Sequence, residues 1–205
     1  MKNNKLISIL KTKLTPVNSL ILSVIFTLLF AIYNRIVGIF NESLWNESVS
    51  IYYFALTIIK SIILISYYKQ TNIENQKRIF QVTKVLLFIS NLLMIVPLIL
   101  MIINKRKVEA SLIFSIGIAL YVTIKTTISI IRFFKKETCD SILLKQIKTI
   151  DLIDVVFSIL TLQNTLISVN GSGFDIGLYY LTIVSSVVGL IINFYLILRM
   201  NINEK

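Results

Sequence analysis

The chain has 205 residues, 56% hydrophobic and 15% charged, with 21 Lys and Arg against 10 Asp and Glu. Soluble domains carry about 25% charged residues, and a mean hydropathy of +0.82 lies outside that class. The absence of histidine and the single cysteine exclude His-ligated metal, imidazole triads, an internal disulfide and CxxC chemistry.

The chain opens with a basic stretch in which Leu6, Leu10 and Leu14 recur at spacing four among Lys5, Lys11 and Lys13. This pattern predicts an amphipathic tail over residues 1–16 lying on the anionic lipids of the cytoplasmic leaflet. Six apolar runs follow, at 17–40, 48–68, 79–103, 108–134, 149–169 and 178–200. Each supplies the roughly 20 residues that cross about 30 Å of hydrocarbon at about 1.5 Å per residue. The fold class read from this pattern is all-α: one polytopic membrane domain, 1–205, with six transmembrane helices.

The connections set the orientation. With the N-terminus inside, cytoplasmic connections carry twelve basic residues and outer ones carry three. Short loops obey the positive-inside rule, so both termini are expected in the cytoplasm of a multi-pass cell-membrane protein. Lys105-Arg106-Lys107 is the exception, falling on the outer side in this scheme. Trp45, Tyr52, Tyr53, Phe174, Tyr179 and Tyr180 are expected to mark the outer boundary, and Tyr67, Tyr68, Phe133 and Phe134 the inner one. Pro97 predicts a kink in the third span, and Gly117 lies in the outer half of the fourth. An outer cap is expected from Tyr33, Asn34, Arg35 and Trp45, with Arg35 paired to Glu42 or Glu47.

Charges inside the spans carry the functional signal. Measured from the inner ends, Lys60 lies about 12 Å deep, Lys84 about 7 Å, Lys125 about 13 Å, Asp151 about 3 Å and Asp154 about 7 Å. An unpaired charge near the bilayer centre costs on the order of 3 kcal/mol, so such groups face the bundle and pair. The expectation is an inner-leaflet cluster of Lys60, Lys84, Lys125, Asp151, Asp154 and Gln163. Three lysines against two aspartates leave one positive charge for an anionic ligand or headgroup. Polar stripes at helical spacing accompany it: Asp151, Asp154, Ser158, Thr161 and Thr165 in the fifth span, and Ser50, Tyr53, Thr57 and Lys60 in the second. Small and hydroxylated residues also serve as ordinary packing between membrane helices.

Several strings form a recognisable pattern: Ile32-Tyr33-Asn34 with Gly38, Ser43-Leu44-Trp45, and Ser50-Ile51-Tyr52-Tyr53. It continues with Tyr121-x-x-x-Lys125-x-Thr127 and Asp154-x-x-x-Ser158-Ile159-Leu160-x-Leu162-Gln163. The pattern resembles an uncharacterised family of small bacterial six-span integral membrane proteins. The resemblance covers four spans and implies the fold. It supplies no activity. Members of that family more often carry Arg at the position of Lys60, which keeps the charge and changes the bidentate contact.

Two functions follow as expectations. The first is a small transporter or permease component using the Lys/Asp cluster, since intramembrane charge marks function by default. The alternative is a non-transporting subunit that binds a protein partner, a second copy or anionic lipid, with the cluster as structural ion pairs. No nucleophile–base pair, glycine-rich phosphate loop or metal constellation is present, so the sequence reads as a non-enzyme without cofactor or metal. Basic residues that flank spans point to topology and not to nucleic acid.

Overall fold

The fold is known from a computed structural model, which describes residues 16–69, 71–96, 98–99, 112–134, 142–170 and 176–200. Six helices are present among them: α1 (Pro16–Phe40), α2 (Leu44–Tyr68), α3 (Ile73–Leu93), α4 (Leu112–Phe134), α5 (Ile142–Asn170) and α6 (Ile176–Arg199). All but α3 are long and apolar enough to cross a membrane. The chain is therefore an all-α protein of the membrane-spanning kind. The tail over residues 1–15, Pro97, Lys105-Arg106-Lys107, Cys139 and Phe174 lie outside the described residues.

Helix ends depart from the apolar runs because backbone hydrogen bonding, and not hydropathy, sets them. α5 begins seven residues before its run and α3 six, carried by polar helix formers such as Glu74, Gln76, Lys77 and Gln146. α3 closes at Leu93, with the Met94 N–H turned back to Asn91 and Leu92. Proline at 97 has no N–H to offer the carbonyl of Leu93, which explains a break at this position. The α1–α2 link is a Schellman turn: Ser43 N–H donates to the Gly38 carbonyl (3.0 Å) and Glu42 takes φ 48°. Ser43 then caps α2, its hydroxyl accepting from Asn46 N–H at 3.4 Å.

Packing sorts the helices into two four-helix lobes that share α2 and α5. One lobe joins α1, α2, α4 and α5; the other joins α2, α3, α5 and α6. Because α5 is covered on both sides, its buried residues run almost all the way round the helix. The outward faces of α1, α3, α4 and α6 are rows of Ile, Leu and Val, as lipid contact requires. Tight crossings use glycine. A Cβ on Gly38 would stand 2.8 Å from the Glu47 side chain, and one on Gly117 would stand 2.6 Å from the Tyr33 hydroxyl. Gly117 thus makes room for Tyr33, whose hydroxyl donates to the Phe114 carbonyl at 2.6 Å.

The aromatic boundary differs in part from expectation. Tyr68 and Tyr180 are exposed at helix ends, but Trp45, Tyr52 and Tyr53 are buried. A residue's depth along a helix does not fix its face, and these three fall on the inward side of α2.

Candidate functional site

Within the first lobe, α2, α4 and α5 each carry ionisable residues on their inward faces. They meet as a tetrad: Lys60 from α2, Lys125 from α4, and Asp151 with Asp154 from successive turns of α5. Exposure is 1% for Lys60, 5% for Lys125, 2% for Asp151 and 0% for Asp154, so the groups have no bulk water to solvate them. Each charge is therefore neutralised by its neighbours.

Lys60 Nζ lies 2.6 Å from Asp154 Oδ2 and 2.9 Å from Asp151 Oδ1. It also reaches Thr27 Oγ1 at 3.0 Å and Ser23 Oγ at 3.1 Å, both on α1. Three ammonium protons thus face four oxygens. Ser23 donates in turn to Asp151 Oδ1 at 2.8 Å. Lys125 pairs with the same Asp154 Oδ2 and donates to the Tyr121 hydroxyl at 2.6 Å. Its ammonium stands 5.4 Å from the Tyr53 ring and 5.1 Å from the Tyr121 ring, within cation–π range.

Asp154 is asymmetric. Its Oδ2 receives both lysines and lies 3.2 Å from Thr27 Oγ1, whereas Oδ1 is buried without a hydrogen-bond partner. The backbone next to it is braced: Ser158 donates to the Asp154 carbonyl at 2.6 Å, and the Tyr53 hydroxyl meets Ser158 Oγ at 2.8 Å. Phe30 closes the lobe, stacked 3.9 Å from Tyr121 and edge-on to Tyr53 at 4.7 Å.

Four of the six residues expected in the cluster meet there. Lys84 does not. It sits on α3, in the other lobe, and donates to the Met200 carbonyl at 2.6 Å and the Leu198 carbonyl at 3.4 Å. Depth had grouped it with the others; helix order removes it. The consequence is electrostatic: two lysines face two aspartates and no positive charge is left over for an anion. Gln163 is part-buried and nine residues beyond Asp154, half a turn out of phase, so it faces away from the tetrad.

The outer cap also divides. Tyr33, Asn34 and Arg35 are consecutive, about 100° apart, and take three different kinds of partner. Tyr33 reaches α4, Asn34 is buried with its Nδ2 on the Phe30 carbonyl at 2.8 Å, and Arg35 pairs with Glu47 at 3.6 Å. Both partners of that pair are substantially exposed, so it adds little stability. Trp45 packs inside with its Nε1 unpartnered, as are Asn34 Oδ1 and both side-chain polar atoms of Asn46.

Tyr53 and Ser158 belong to the polar stripes of the second and fifth spans; the structure brings them, together with Ser23 and Thr27 of α1, against the tetrad. Tyr121 was visible only as part of a motif. Its spacing of four from Lys125 is the signal for a direct contact on one helix face.

The fold and site together define an α-helical membrane protein with a charge-neutral centre sealed inside one lobe. Comparison with family models, curated proteins and solved structures gives no match for this chain. Among the described residues no group of three or more His, Cys, Asp or Glu is placed to hold a metal ion.

Proposed function

We propose that this chain is a small, non-enzymatic transporter or permease component of the cell membrane, with the tetrad as its coupling centre. The observation that carries the reading is Asp154: one carboxylate oxygen holds two lysines while the other, fully buried, holds nothing. Buried ion pairs give little net stability over well-packed apolar residues. Four such charges at one point therefore ask for a role beyond packing, and intramembrane ionisable groups serve ion pathways and proton relays by default. A proton is the ion that suits so closed a site. Passed from the Lys125 ammonium to Asp154, it neutralises both partners at once, keeps the centre balanced and loosens α4 from α5. The polar stripe Asn46, Ser50, Tyr53, Thr57 and Lys60, all buried, gives that event a route along α2.

In this reading the chain crosses the membrane six times with both termini in the cytoplasm. α3 supplies the sixth crossing together with the apolar residues after Leu93, because Ile79–Leu93 alone spans only about 22 Å. Among the described residues, Lys69, Lys77, Arg78, Lys145, Lys148 and Arg199 gather at the α2–α3 end, whereas the α1–α2 end has Arg35; this supports the orientation.

A second reading has its own support. The tetrad is neutral and sealed, as a clamp binding α2, α4 and α5 in a non-transporting subunit would be. Liposomes containing the protein and a pH-sensitive dye separate the two. Transport predicts proton movement on imposing a pH gradient, lost in Lys125→Met/Asp154→Asn, a pair of changes that preserves charge balance. Wild-type liposomes that leak protons no faster than empty ones sink the transport reading.

A further inference from the structure

All four buried charges among the described residues lie in the first lobe. The second lobe is built differently. Its interior carries amides and hydroxyls, several of them with polar atoms that no described residue satisfies, and three of these stand at one level. Asn193 on α6 is 0% exposed with neither Nδ2 nor Oδ1 bonded. Asn91 on α3 is equally buried; its Nδ2 donates to the Leu87 carbonyl at 2.9 Å and its Oδ1 is unpartnered. Tyr52 on α2 stands beside Asn91, its hydroxyl near enough to interact with the Asn91 side chain but without a well-formed hydrogen bond.

Two registers bring these residues to one level. Lys84 reaches Leu198, and Phe88 meets Phe194 at 5.2 Å, so the antiparallel α3–α6 pair places Asn91 level with residues 191–193. On α5, Phe157 packs 4.3 Å from Tyr52, while Leu160 packs on Gly189, one turn from Asn193. Tyr52 and Tyr53 are adjacent, about 100° apart on α2, and both pack against Phe157; the Tyr53 hydroxyl bonds Ser158 beside the tetrad, while Tyr52 lies beside Asn91. Further amides stand above and below. Asn164 donates to Ser186 Oγ at 3.3 Å and Gln146 to Thr83 Oγ1 at 2.6 Å, each with its carbonyl oxygen unpartnered.

We propose that Tyr52, Asn91 and Asn193 form a binding site for an uncharged donor–acceptor group: water, or the hydroxyl or amide of a small neutral solute. Asn193 Nδ2 and the Tyr52 hydroxyl donate; Asn91 Oδ1 and Asn193 Oδ1 accept. Such a balanced set matches a guest that both gives and takes hydrogen bonds. Among the described residues no charged side chain touches Tyr52, Asn91 or Asn193, so an ion entering there would lack a direct countercharge to offset its desolvation. An unpaired amide in hydrocarbon costs several kcal/mol, which is the driving force for occupancy. The site uses none of the tetrad's residues, although Asp154 acts electrostatically on Tyr52 across the shared helices, and it holds whether or not the protein transports.

The test uses the full-length protein in detergent, purified without small polar solutes. Radiolytic labelling in ¹⁸O-water reads solvent at Tyr52; thermal unfolding with millimolar acetamide or glycerol reads solute. If water is the guest, Tyr52 takes up ¹⁸O despite its burial, and Asn193→Leu lowers that uptake several-fold. If a neutral solute is the guest, acetamide or glycerol raises Tm saturably by a few degrees in wild type and not in Asn193→Leu. Asn91→Leu replaces the variant should Asn193→Leu fail to fold. An unlabelled Tyr52, no solute-dependent shift, and a Tm raised by the leucine together overturn the proposal, because they describe a dry site.

Discussion

Lys60 and Lys125, from helices that are not neighbours in sequence, converge on a single oxygen atom, Oδ2 of Asp154. Two cations held by one carboxylate oxygen repel each other, and Asp151 offsets this by taking part of Lys60. The four groups act as one unit, so single substitutions report on the balance of the whole.

The charge count predicts an asymmetric mutational pattern. Asp154→Asn leaves two lysines against Asp151 alone and should cost about 3–5 kcal/mol, the usual loss when one partner of a buried pair is removed. Lys125→Met/Asp154→Asn leaves Lys60–Asp151 intact and should recover most of it. Thermal unfolding and gel filtration in detergent check this. A double variant as unstable as Asp154→Asn would refute the charge-balance account.

Lys84 should behave unlike the other two lysines. Its bonds go to the carbonyls of Leu198 and Met200 at the end of α6, where a cation also suits the helix dipole. Lys84→Met should cost about 1 kcal/mol, speed hydrogen exchange in the last turn of α6, and leave proton movement in liposomes unchanged.

The turn between α1 and α2 holds a removable strain. Glu42 takes φ 48°, a left-handed position that costs a side-chain residue about 1 kcal/mol relative to glycine. Glu42→Gly should therefore raise Tm by a few degrees. An unchanged or lowered Tm would mean the glutamate side chain earns back the strain elsewhere.

Gly117 and Tyr33 should be coupled. Gly117→Ala drives a methyl to within 2.6 Å of the Tyr33 hydroxyl and 3.0 Å of the ring carbon bearing it, so α1 and α4 must separate. Tyr33→Phe removes the closer clash along with the bond to Phe114. In a double-mutant cycle the second change should cost less in the alanine background than in wild type, with a coupling of about 1 kcal/mol. Strict additivity would show that Tyr33 moves aside freely.

The sequence by itself determined the apolar character of the helices and which charges fall within them. Apolar runs of more than 20 residues have one stable solution, the helix, because hydrocarbon leaves no other partner for the backbone. Period and depth then marked Lys60, Lys125, Asp151 and Asp154 as residues in need of partners. Helix order decided what depth could not. Lys84 shares their level but stands in the other lobe, and Gln163 shares their helix but faces away. Tyr33, Asn34 and Arg35 share a turn and separate, Tyr33 to α4, Arg35 to α2 and Asn34 back onto its own helix. Contacts between helices depend on rotation and neighbour choice, which arise from long-range packing and leave only a faint trace in local sequence. The basic residues behind the +11 charge of the chain stand mostly outside its apolar runs, while the neutrality of the tetrad became visible only once two lobes had been assembled.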